Sequence, residues 1–123
     1  MRFPANTPGT NLREKRLDVS VAPPDSSGDC KSPNTGVSSS SQETVGGKNF
    51  LKEKGSYSGA APTNYANDWV AYTTEHAFGG TSTCISISLT IASDPAESPA
   101  YDFADETAIL ETIISTLIYP GGA

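Results

Sequence analysis

The chain's one histidine, His76, directly follows Glu75, and a carboxylate beside an imidazole is the pairing that general acid-base chemistry uses most. Both lie in "WVAYTTEHAF", whose alternation reads as a strand, where adjacent side chains point to opposite faces. They therefore cannot act on one another, and His76 is expected to face Thr83 across a hairpin. The two cysteines, Cys30 and Cys84, stand far apart in sequence. A bridge between them would stabilise by about 4 kcal/mol through loop closure; two free thiols are the other reading. One histidine and two distant cysteines fall short of the clustered ligands that zinc requires. "TVGGK" lacks the spacing of a phosphate loop, and neither G-x-G-x-x-G nor G-x-S-x-G occurs. Asp102, Asp105 and Glu106 suit the start of a helix better than a calcium loop. The expectation is a protein that is not an enzyme, with no catalytic residue, no metal and no cofactor.

What remains is a stripe of hydroxyls, and the element that must position it is a β-hairpin. "WVAYTTEHAF" and "TSTCISISLTIA" flank Gly79 and Gly80, which can adopt the positive φ of a two-residue turn. This turn sets Phe78 against Thr81, His76 against Thr83, Thr74 against Ile85, Tyr72 against Ile87 and Val70 against Leu89. One face then carries Val70, Tyr72, Ile85, Ile87, Leu89 and Ile91. The other carries Trp69, Ala71, Thr73, Glu75, Cys84, Ser86, Ser88 and Thr90. A slip of one residue would exchange the faces, so the pattern specifies the register. After "SDPAESPAY", Asp102 can cap "FADETAILETIISTLIY", and Pro120, Gly121 and Gly122 end it. Ile109, Leu110, Ile113, Ile114, Leu117 and Ile118 recur at helical spacing and form the apolar side that would cover the sheet. The fold class expected is α+β, an antiparallel sheet covered on one face by a C-terminal helix. Because one hairpin and one helix bury too little to offset their ordering entropy, the covering helix is expected to come from a second subunit.

The rest of the chain is poorer in apolar residues. Leu, Ile, Val and Phe total 22 of the 123 residues, and 13 of these follow Trp69, so the packed part is placed in the C-terminal half. Residues 1–24 read as an N-terminal arm and a short strand in which Leu17, Val19 and Val21 alternate with Asp18 and Ser20 before Pro23 and Pro24. Residues 25–68 read as a low-complexity loop region with a small basic segment at Lys48 to Lys54; the serine-rich stretch from Asp25 to Gly47 is expected to be a loop. Residues 69–123 hold the hairpin and helix, all within one domain. All eight Lys and Arg lie at or before Lys54, so the segments on either side of it carry net charges of +2 and −8. An acidic C-terminal half argues against strong non-specific binding of nucleic acid and leaves the cations to the N-terminal half. No secretory leader is seen at "MRFPANTPGT", and no apolar run reaches the roughly 18 residues that a membrane span needs.

Hydroxyls of Thr73, Ser86, Ser88 and Thr90 can donate and accept at short reach; single-stranded RNA is a partner that such a face could meet, with cations from Arg13, Lys15, Arg16 or the Lys48 to Lys54 cluster. Three stretches, "LREKRLDVSVAPP", "CISISLTIASDPAE" and "TAILETIISTLIYP", resemble two strands and the first C-terminal helix of levivirus-type single-stranded RNA bacteriophage coat proteins. The resemblance covers about a third of the chain. It implies a homodimer in a quasi-symmetric capsid, with the sheet facing genomic RNA and the helices outside. On this chain it implies RNA contacts at Arg16, Thr73, Ser86, Ser88 and Thr90, and a dimer interface at Ile109, Ile113, Ile114 and Leu117. The chain departs from that pattern at Asp25 to Gly47, in ending after one helix, and in lacking Lys and Arg over its last 69 residues. The expected function is a self-assembling coat subunit of a virion that encloses RNA, with no membrane partner. The alternative is a small, monomeric, β-rich binding or effector domain without catalytic activity, cytoplasmic or secreted.

Overall fold

A computed structural model describes residues 2–3, 12–34, 36–58, 65–94 and 103–116. Strand β1 (Arg2–Phe3) is followed by β2 (Leu12–Ala22), β3 (Val37–Val45), β4 (Lys48–Ser58), β5 (Ala66–Phe78) and β6 (Thr81–Ser93), and the chain continues into helix α1 (Phe103–Ser115). The strands form one antiparallel sheet in the order β1-β2-β6-β5-β4-β3. The fold class is therefore α+β, with five long strands and a two-residue edge piece.

The β5–β6 hairpin has the register that its alternation and Gly-Gly turn specify: Phe78 pairs with Thr81, His76 with Thr83, Tyr72 with Ile87 and Val70 with Leu89. Gly79 and Gly80 both have positive φ, at 59° and 86°. Strand β2 extends the same two faces, since Leu17, Val19 and Val21 lie opposite Leu89, Ile87 and Ile85. Phe50, Val70, Tyr72, Ile85, Ile87, Leu89 and Ile91 make the sheet's side of the core, and Leu110 and Ile114 make the helix's side. Helix and sheet that form this core belong to one chain.

Residues 25–47 are not a loop throughout. Val37–Val45 forms β3, an edge strand in which only Val45 is buried, and Gly46 and Gly47 turn it into β4 with φ of 60° and 80°. A Gly-Gly pair makes this hairpin as it makes the next one; "VSSSSQET" conceals it because an exposed edge strand needs no apolar alternation. The strand order also dictates the course of the preceding segment. Strands β2 and β3 are consecutive but lie with β6, β5 and β4 between them, so the connection must cross about 19 Å of sheet. It crosses on the hydroxyl-bearing face. A turn at its start is built on Asp25, whose Oδ1 accepts from the backbone N–H groups of Ser27 (2.9 Å) and Asp29 (3.0 Å). The Asp29 bond, more than the Ser27 bond, holds the Asp25 carboxyl below its ordinary range. Cys30 is then joined to Cys84 of β6 by a disulfide, and the Ser32 N–H donates to Glu53 Oε1 of β4 at 2.9 Å.

Candidate functional site

The strap formed by Pro23–Asn34 changes the status of the hydroxyl stripe. Thr73, Ser86 and Ser88 are exposed by only 2%, 4% and 8%, and Thr73 Oγ1 and Ser86 Oγ hydrogen-bond each other at 3.0 Å. Small side chains allow the strap to approach, and paired hydroxyls satisfy each other's polarity beneath it. These three residues are thus interior, which corrects their expected role as RNA contacts. Thr90, half-buried, and Arg16 stay at the rim, where Arg16 pairs with Thr90 across β2 and β6.

Thr90 and Arg16 belong to one row across the sheet: Arg16 lies beside Thr90, Thr90 beside Trp69, and Trp69 beside Gly55. Gly55 is required there because a Cβ would stand 2.6 Å from three atoms of the Trp69 indole. The indole consequently lies over bare backbone and is 2% exposed. Around it Arg16, Pro33, Asn34, Tyr57, Trp69 and Thr90 line a pocket of about 230 Å³. Asp18 Oδ2 accepts a bond from Arg16 Nε at 2.8 Å, and this contact raises the guanidinium pKa further. Asn34 Nδ2 and, next to the pocket in sequence, Ser32 Oγ are buried with no hydrogen-bond partner.

On the opposite face, α1 runs obliquely over the sheet. Near its start Glu106 pairs with Lys15 of β2 at 2.6 Å, and near its end Ser115 packs against Gly46 of the β3–β4 turn, where a Cβ would lie 2.9 Å from Ser115 Cα. Between them Glu111 accepts a hydrogen bond from Tyr72 and is paired with Lys52 at 3.3 Å. The Tyr72 bond, reinforced by Lys52, holds the Glu111 carboxyl below its usual range; burial first and Glu111 second push the Tyr72 hydroxyl up. Lys52 also sits 5.5 Å from the Tyr72 ring centroid, a cation-π contact.

The apolar side of the helix is divided. Leu110 and Ile114 are 2% exposed and belong to the chain's own core, so Ile114 is not free to face a partner as expected. Ile109 and Ile113 are 55% and 38% exposed and line, with Lys15, Leu17, Leu89, Glu106 and Leu110, a groove of about 300 Å³. Leu117, Ile118 and the Asp102 cap lie outside the described residues. Farther along β2, Val19 and Val21 share the face of Leu17 and are each 63% exposed. Strand β1 pairs only with Lys15 and Arg16, so among the described residues Leu17 to Ala22 have a strand neighbour on the β6 side alone.

His76 is 7% exposed and pairs in register with Thr83, and Glu75, on the opposite face, accepts a hydrogen bond from Ser82. Among the described residues no group of three or more His, Cys, Asp or Glu is placed to hold a metal ion, and no helix is long and apolar enough to cross a membrane. Comparison with protein-family models, with curated proteins and with solved structures finds no match to this chain.

Proposed function

We propose that this protein is a structural subunit that self-assembles, most concretely a coat subunit whose dimers build an RNA-enclosing particle. One observation carries the reading: the sheet's apolar face is wider than its own helix covers. Val19 and Val21 on β2 and Ile109 and Ile113 on α1 are exposed apolar side chains on the covered side of the sheet, and among the described residues the outer β2 edge from Leu17 to Ala22 has no strand neighbour. Monomeric proteins seldom leave such side chains beside a bare edge, because this invites pairing with another chain. A second copy fits it best, since β2 against β2 in antiparallel register would continue the sheet and bring both pairs of valines together, a self-complementary contact. The helix of each copy would then lie over the junction, which is the sense in which a second subunit helps to cover the sheet. Dynamic light scattering of the purified chain, with nuclease challenge of any RNA that copurifies, tests this. Particles that protect RNA are expected; a monomer at every concentration would end the proposal.

The disulfide and the pocket beside it favour a second reading, a stapled monomeric binding domain. The same measurement separates the two.

A further inference from the structure

The strap that crosses the polar face is fastened to the sheet by little besides one covalent bond. Pro23–Asn34 contains three prolines and no Leu, Ile, Val, Phe, Met, Trp or Tyr, and none of its residues is buried. It gives no side chain to the hydrophobic core, which lies on the other face beneath α1. Its apolar contact is Pro33 at the rim of the Trp69 pocket, and Pro33 is itself exposed. The turn at its start is self-contained, since the bonds of Asp25 run to Ser27, Gly28 and Asp29. Below the strap, Thr73 and Ser86 bond each other rather than the strap. It is tied to the sheet by the Cys30–Cys84 disulfide and by the Ser32 N–H, which donates to Glu53 Oε1 at 2.9 Å. Against that hydrogen bond stand two buried polar atoms without a partner in the closed strap, Ser32 Oγ and Asn34 Nδ2. An unsatisfied buried group costs on the same scale as a bond to a charged acceptor gains, so the non-covalent contacts do not hold the strap down; the disulfide does.

We propose that the Cys30–Cys84 disulfide is a redox-operated latch: oxidised, it closes the strap over the polar face, and reduced, it releases the strap while sheet and helix stay folded. The reductant is a dithiol. Cys30 is half-buried and Cys84 is 5% exposed, so the incoming thiolate attacks Cys30 Sγ, the S–S bond breaks, and Cys84 leaves as a thiolate that takes a proton. The second thiol of the reductant then displaces Cys30, which takes a proton in turn. Two electrons have passed, and the dithiol has become a disulfide. Because the bond joins residues 54 apart in sequence and lies outside the strand ladders, its loss frees the strap from β6 without removing any strand pairing. Opening uncovers Trp69, Thr73, Ser86, Ser88 and the Glu53 carboxylate, all buried while the strap is closed. The latch does not depend on assembly.

Lys31 is exposed and is the strap's one tryptic site, whereas Lys15, Lys52 and Lys54 lie in strands. The full-length chain is digested with dilute trypsin before and after treatment with dithiothreitol, and mass spectrometry locates the cuts. Cleavage needs a locally unfolded segment, so its rate reads the opened population. Reduction should speed cutting after Lys31 about tenfold or more, while the strand sites stay protected and far-UV circular dichroism is unchanged. Reoxidation of undigested sample should restore the protection. Cys30→Ser supplies the open form without a reductant, and in it the Cys84 thiol should react with Ellman's reagent while the protein stays folded. An equal rate at Lys31 in both forms, an unreactive Cys84, or protection that does not return overturns the latch. Cutting at the strand sites with loss of circular dichroism, in the reduced chain or in Cys30→Ser, also overturns it, because the disulfide would then hold the fold rather than the strap.

Discussion

Gly55 shows how one missing methyl group organises a whole face. Its backbone takes no unusual φ; what it provides is the absence of a Cβ under the Trp69 ring, where any such atom would lie 2.6 Å from the indole. Gly55→Ala must therefore lift Trp69 toward Pro33 and Asn34, at an overpacking cost of about 1–3 kcal/mol. Urea unfolding should show a lower midpoint with an unchanged slope, and Trp69 emission should shift to longer wavelength as the ring gains solvent. A midpoint equal to that of the parent chain would show that the ring is not held against β4. Chemistry at this scale was partly readable in advance. Thr90 could be named from alternation in β6, because strand parity sets which side chains share a face, whereas Arg16 is reached only through the family resemblance. Asn34 and Tyr57 could not, since the strap that brings Asn34 to the row is positioned by topology, and Tyr57 sits in a strand with little apolar periodicity.

Among the elements, the β5–β6 hairpin was legible down to its register because two signals agreed: a Gly-Gly turn and a strict division of greasy from small polar residues. The β3–β4 hairpin has the same turn but only half the signal, since an edge strand exposed on both sides is not obliged to alternate. The helix was legible as an element, though its apolar side divides into a buried seam and an open flank, and spacing alone does not reveal that division. What seats α1 is partly electrostatic. Glu111 joins it to Tyr72 and Lys52, and these contacts keep its folded pKa below the ordinary 4.5. With the folded value lower than the unfolded one, the unfolded chain binds the proton more readily. The contribution is therefore complete above about pH 4.5 and is lost as pH falls through the folded value. Acid unfolding followed by circular dichroism should show Glu111→Gln less stable than the parent at neutral pH, with the gap closing as pH drops below 4.5. A gap that stays constant with pH would mean that the carboxylate's charge does not seat the helix.

For the whole molecule, the two faces of one sheet are finished to different degrees. The polar face is closed by the chain itself, through a strap that the strand order compels to cross it and a disulfide that fixes its path. Among the described residues the apolar face is covered by one oblique helix, and Val19 and Val21 on β2 stay exposed. This asymmetry makes a discriminating pair of substitutions possible. Ile114→Asp would place a charge at a 2% exposed position and should unfold the chain, so loss of particles in that variant says nothing about an interface. Val19 is 63% exposed, and in an isolated chain Val19→Asp should change stability by no more than about 0.5 kcal/mol. Across a β2–β2 junction the same change buries carboxylates near one another beside a second apolar flank, and dimerisation should weaken by at least about a hundredfold, or roughly 3 kcal/mol. Sedimentation velocity over a concentration series, with circular dichroism to verify the fold, should therefore find folded monomers of Val19→Asp where the parent chain associates. If the variant associates as the parent does, copies meet elsewhere, and the open flank must be assigned to a different partner.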